Sequence, residues 1–148
     1  MEKFSAIDVA ALFKNWLKIL PKALISSELY DMFYDDSSVI IRSDTCIIAK
    51  INKITEEMNP LYSYVLRFLV KFIKKMCLQD IMAKTKMNKL NYSIVLSPNI
   101  FQSHKMVRNS DNIFRTTNQI NMFNSLIAHC DVSDIEWPVI KYNISNHL

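Results

Sequence analysis

Residues 11–25 read ALFKNWLKILPKALI. Leu12, Phe13, Trp16, Leu17 and Leu20 recur at three- and four-residue intervals. With Val9 they predict one helix face turned toward a core. Lys14 and Lys18 stand one turn apart on a neighbouring face. Pro21, with no amide to donate, ends the helix, and Ser5-x-x-Asp8 has the form of a capping box that starts it. A lysine pair of this kind is either the wet side of a core helix or a cationic edge for an anionic partner. The stretch alone leaves both readings open.

Working outward, composition restricts the fold further. The 148 residues contain no glycine, where an average chain of this length holds about ten. P-loops, dinucleotide-binding fingerprints and nucleophile elbows all need glycine backbone and are excluded. Tight hairpins would rest on Asn or Asp alone, which disfavours an all-β fold. Helices joined by Asn, Asp and Ser turns are predicted. Half the residues are hydrophobic and 22% are charged, as in a globular protein, and the length fits a single domain over 1–148.

The net charge of +4 is too mild for a dedicated nucleic-acid binder. No uncharged apolar run nears the ~20 residues of a membrane span. Cys46, Cys77 and Cys130 are odd in number and form no ligand spacing with His104, His129 or His147. No metal site and no cofactor are therefore predicted. Free thiols and the lack of a signal-peptide pattern point to a reducing, cytoplasmic setting.

The remaining helices follow from local signals. A short one after Ser26-Ser27 would bury Leu29, Met32 and Phe33 and close at the YDDSS turn, residues 34–38. SVII at 38–41 is too little for a sheet. A third helix fits 44–58 with Ile47, Ile48, Ile51 and Ile54 inward. Asn59 as N-cap and Pro60 at the first position open a fourth. Its expected stripe is Leu61, Val65, Phe68, Leu69, Phe72, Ile73 and Met76. A fifth helix runs from Asn88 to Leu96, stopped by Pro98. A sixth covers Asn118 to His129 with Ile120, Phe123, Leu126 and Ile127 inward. The tail, 132–148, is weakly periodic.

Arg67, Lys71, Lys74 and Lys75 form a basic stripe opposite the apolar face of the fourth helix. It reads as the wet side of a core helix. A surface for acidic lipid or a calmodulin-like regulator is the alternative. The adjacent pairs Asp35-Asp36 and Glu56-Glu57 diverge and make no acid/base pair. No local motif spells a reaction.

Two segments are more specific: FKNWLKILPKALISSELYDMF, residues 13–33, and KMNKLNYSIVLSPNIF, residues 86–101. Together they resemble the Rho GTPase-activating (RhoGAP) domain family. The family pattern is a Lys, an Arg four residues on, Leu-Pro-x-x-Leu-Ile and a Glu-Leu-Tyr helix. Later come Lys-Met-x-x-x-Asn-Leu-Ala, an apolar triplet and Pro-Asn-Leu. Here those places hold Lys14, Lys18, Leu20-Pro21, Leu24-Ile25 and Glu28-Leu29-Tyr30. The second block gives Lys86-Met87, Asn91, Ile94-Val95-Leu96 and Pro98-Asn99-Ile100. The likeness runs over about residues 8–131 in the family's order.

The resemblance implies an all-α RhoGAP-like bundle that docks on a Rho-family small GTPase, with Lys14, Lys18, Asn91 and Asn99 at the contact. Lys18 stands where the family has an arginine, and a lysine copies its planar, multi-donor contacts poorly. The family's arginine finger comes from a Gly-x-Phe-Arg-x-x-Gly loop upstream of the Lys helix. The sequence begins at that helix, so the expectation is a bundle missing its first helices, with weak or no GTPase activation. Apolar surface left bare would be covered by the tail with Trp137, by self-association or by a partner. NIFRTT, residues 112–117, echoes the finger loop without its glycines. It makes Arg115 the candidate for an active variant, beside an arginine lent by a partner, and against the plainer reading of a surface arginine.

Overall fold

The computed structural model describes residues 5–34, 43–101 and 109–137. The YDDSS turn after Tyr34, the SVII stretch, His104, His147 and the tail beyond Trp137 lie outside these residues. Seven helices cover the described chain: α1 (Ala6–Ile19), α2 (Ser27–Tyr34), α3 (Asp44–Glu57), α4 (Pro60–Met76), α5 (Gln79–Thr85), α6 (Lys89–Ile100) and α7 (Asn109–His129). The all-α expectation holds.

Local chemistry sets most helix starts. Ser5 Oγ accepts from the Asp8 amide at 3.2 Å while Asp8 Oδ2 accepts from the Ser5 amide at 2.9 Å, closing the capping box. That bonding also holds the Asp8 carboxyl below the usual carboxylate range. Ser43 caps α3, and Asn59 Oδ1 accepts from the Leu61 amide at 3.0 Å ahead of Pro60. Asn88 and Asn91 form a second reciprocal box at the start of α6.

α7 lies at the centre of the packing, against α3, α4 and α6, while α1 packs on α6 and α2 on α3. Its Met122, Phe123, Leu126 and Ile127 are fully buried among Ile51 and Ile54 of α3, Leu66, Leu69, Val70 and Ile73 of α4, and Leu96 and Ile100 of α6. Polar ties join the helices. Ser63 Oγ donates to the Thr55 carbonyl at 2.9 Å, and Tyr34 Oη to the Asn118 carbonyl at 2.6 Å.

Several expectations are corrected. On α1 only Leu17 is buried, with Leu20 half-buried after the helix end. Val9, Leu12, Phe13 and Trp16 are exposed. Periodicity fixes which residues share a face, but whether a partner covers that face is a tertiary fact. On α3, Ile48 turns outward. On α4 the buried line is Ser63, Leu66, Leu69, Val70 and Ile73, so Leu61 and Phe72 lie exposed.

α6 does not stop before Pro98 but runs through it to Ile100. Proline removes the amide that would bond the Ile94 carbonyl. Ile94 and Pro98 are both exposed, and water can take up that carbonyl. The Phe101 amide donates to the Ser97 carbonyl at 3.2 Å and carries the ladder past the proline. α7 begins at Asn109, a good two turns before the expected start. α5 was not anticipated. It is short, buries no residue, and its N-cap Leu78 offers no side-chain acceptor.

Lys86, between α5 and α6, holds φ 57° and ψ 21°. It is the positive-φ position among the described residues. Left-handed backbone costs an L-residue about 1–2 kcal/mol. Lys86→Gly relieves that cost and loosens the unfolded chain. The expected net gain is about 0.5–1 kcal/mol, read as a raised urea midpoint at unchanged slope.

Candidate GTPase-binding face

The link between α1 and α2 is stitched to the end of α6. Leu24 and Ile25 are buried, the Ile25 amide donates to the Ile100 carbonyl at 2.9 Å, and Ile25 pairs with Phe101 in a single parallel bridge. This junction sets α1 alongside α6, so the helix of Lys14 and Lys18 and the helix of Asn91 and Asn99 are neighbours.

Lys14 is half-buried and Lys18 exposed. Asn91 is half-buried at the third position of α6, and its Oδ1 accepts from the Asn88 amide at 3.4 Å. Asn99, two turns further on, donates Nδ2 to the Val95 carbonyl at 3.1 Å. Asn91 and Asn99 therefore both carry a local structural bond, one as cap and one along the helix.

The surroundings are apolar and open. On α1, Ile7 is 80% and Leu12 69% exposed, with Val9 and Ile19 also exposed, and Phe13 and Trp16 stack at 6.0 Å. On α6, Leu90, Ile94 and Val95 are exposed as well. Large apolar side chains rimming a few cations suit a protein partner better than a small polar ligand.

The other candidates are placed elsewhere. The Arg115 guanidinium lies half-buried over the Tyr30 ring, 4.3 Å from its centroid, so it belongs to the α2–α7 contact. A simple surface arginine is the wrong description. The basic stripe of α4 is not a wet face either, because it holds the chain after α7.

Residues 130–137 cross α4 as a strap. Arg67 forks onto Asp134, with Nη1 donating to Oδ2 at 3.0 Å and Nη2 to Oδ1. It also donates to the Asp131 carbonyl from Nε and Nη2 at 3.1 and 3.0 Å. Lys71 Nζ donates to the Ile135 carbonyl, and Lys74 Nζ to the Cys130 carbonyl at 2.7 Å. Trp137 sits edge-on to Phe68 at 5.4 Å, with Lys75 Nζ 5.0 Å from its ring. Ile135 is the strap's buried anchor. As far as Trp137, the tail therefore covers α4 and not α1.

Arg67 holds the Asp134 carboxyl below the usual carboxylate range, and the Ser133 amide does the same for Asp131. Both folded-state pKa values are depressed. Their contribution is thus complete above the ordinary carboxylate range and is lost as pH falls through the lowered values. Burial pushes the Cys130 thiol up, whereas Cys46 is exposed on α3.

The family model of the RhoGAP domain matches residues 1–105, which takes in α1 to α6 and the face they build. The chain belongs to the RhoGAP family. It is 29% identical over 98 residues to Rho GTPase-activating protein 32 of Xenopus laevis. That alignment covers 66% of this chain and 5% of the relative, so the RhoGAP chain described here spans a small part of the relative's length. No described helix is long and apolar enough to cross a membrane.

Sequence reasoning found the two neighbouring helices through their motifs. It missed the strap, because the cations of α4 meet main-chain carbonyls, which every residue carries and no spacing reveals.

Proposed function

We propose that this RhoGAP chain binds Rho-family small GTPases through the α1–α6 face, with Lys14, Lys18, Asn91 and Asn99 at the contact and little or no acceleration of GTP hydrolysis. The observation that carries this reading is the side-by-side packing of the two motif-bearing helices, with exposed apolar side chains around Lys14. Binding without strong activation is supported by glycine content and by the two arginines among the described residues. These 148 residues hold no glycine for a finger loop of the family's form. Arg67 is committed to the strap and Arg115 stacks on Tyr30. An arginine finger is worth about 10³–10⁵ in rate because it meets charge developing on the transferred phosphoryl group.

The test is titration calorimetry against GTP-analogue-loaded and GDP-loaded Rho proteins. Lys14→Ala should weaken binding about tenfold, roughly 1.4 kcal/mol. Asn91→Ala would also lose the cap of α6, so Asn91→Glu is the cleaner variant. A glutamate keeps the capping-box acceptor while removing the amide donor. It should weaken binding as much with an unchanged melting temperature. Failure of every Rho-family member to bind the unmodified chain sinks the proposal. Single-turnover hydrolysis decides the active alternative: Arg115→Ala should leave the rate where the unmodified chain sets it, and a large drop would make Arg115 the finger.

A further inference from the structure

The basic edge of α4 meets peptide backbone. Arg67, Lys71, Lys74 and Lys75 lie on successive turns of one side of the helix. Three of the four donate to main-chain carbonyls, those of Asp131, Ile135 and Cys130. The specific demands on the bound segment are few. A carboxylate meets the Arg67 fork, a branched apolar side chain is buried, and an aromatic ring two residues further on enters the slot of Phe68, Lys71 and Lys75.

The occupant complements the edge in charge. Between Cys130 and Trp137 the strap carries Asp131, Asp134 and Glu136 and no cation. It lies at the surface, with Asp131, Ser133, Asp134, Glu136 and Trp137 all exposed. Exposed charge contacts are individually weak, so the strap is held by many small terms, the buried Ile135, the half-buried Val132 and the Trp137 ring on Phe68. Beside it a cleft of about 340 Å³ opens between Met58, Ser63, Tyr64, Arg67, Asp134 and Ile135. An anionic membrane would satisfy the charges but offers no row of carbonyls at peptide spacing, so the chemistry favours a peptide.

We propose that the Arg67–Lys75 edge of α4 is a binding site for an acidic, tryptophan-containing extended peptide, occupied in this chain by its own residues 131–137. The strap is then a competitor in cis. A tethered segment acts at an effective concentration on the order of millimolar, and a partner segment of the same chemistry must displace it. This inference stands apart from GTPase binding, and its test uses no GTPase.

The probe is the N-acetylated strap peptide DVSDIEW, whose acetyl group supplies the carbonyl that Lys74 takes from Cys130, labelled with fluorescein at its C-terminus and followed by anisotropy. Asp134→Asn with Trp137→Ala in the full chain loosens the strap and leaves Ile135 in place. This variant should bind the peptide about tenfold or more tighter than the unmodified chain, and adding Lys71→Ala should abolish the gain. Equal affinity for the peptide in a loosened variant with native circular dichroism overturns the proposal.

Hydrogen exchange on the unmodified chain keeps the question open to refutation if the variant does not fold. With saturating peptide, amides in 131–137 should exchange several-fold faster, and unchanged exchange overturns the proposal. Binding of the loosened variant to phosphatidylserine vesicles, with no binding to the peptide, overturns it as well.

Discussion

Phe123→Ala should lower the unfolding free energy by about 3–5 kcal/mol, the range for deleting a buried aromatic ring and leaving a cavity. Phe123 is fully buried in α7, the helix that α3, α4 and α6 all pack against. Three helices would have to move together to refill the space, and close-packed interiors collapse only in part. Against a total of about 5–15 kcal/mol for a natural domain, the loss takes a large share of stability. Urea unfolding followed by circular dichroism should show a much lower midpoint at an unchanged slope. Phe114→Ala is the control. It lies on the same helix but is 70% exposed, and should change stability by no more than about 0.5 kcal/mol. A loss below about 1.5 kcal/mol for Phe123→Ala would move the centre of the core away from α7.

Ser97→Leu should be the second large loss, about 1–3 kcal/mol or more, and Ser97→Ala close to neutral. Ser93 and Ser97 are buried on α6, the helix that α1, α4 and α7 contact. Each hydroxyl bonds back to its own helix, Ser93 Oγ to the Lys89 carbonyl at 2.9 Å and Ser97 Oγ to the Ser93 carbonyl at 2.6 Å. No cross-helix partner is lost in the alanine variant, and alanine is the better helix former. What the site needs is small volume, the role glycine often fills and here cannot. If alanine costs as much as leucine, the hydroxyl and not the space is what matters. Thermal unfolding of the two variants side by side makes the comparison.

These positions mark how far the sequence could be read. Asn59-Pro60 and Ser5-x-x-Asp8 were legible because a cap is settled within four residues. Leu17, Ile51, Ile54, Phe123, Leu126 and Ile127 were legible as core because helical period selects a face. The same period also selected Leu12, Phe13 and Trp16, which lie bare. Amphipathicity records that a face is apolar, not that this chain covers it. Pro98 reads as a stop by its missing amide, yet the carbonyl it orphans lies at the surface. α5 carries neither stripe nor cap. Of the candidate face, Lys14, Lys18, Asn91 and Asn99 came from motif order. That Asn91 caps α6 and Asn99 bonds along its own helix needed coordinates.

The bond from the Ile25 amide to the Ile100 carbonyl has a consequence in time. The pairs α2–α3, α3–α4 and α6–α7 are consecutive in the chain, and contacts between consecutive segments form fast. The Ile25–Phe101 pairing instead closes a loop of about 75 residues, and its entropy must be met before the contact returns anything. The α1–α6 junction therefore belongs with the other long-range closures, α3–α7 and the Tyr34–Asn118 bond among them, which follow the consecutive helix pairs. The face that carries Lys14 and Asn91 thus depends on a long-range closure, and a chain holding only its consecutive helix pairs does not present it.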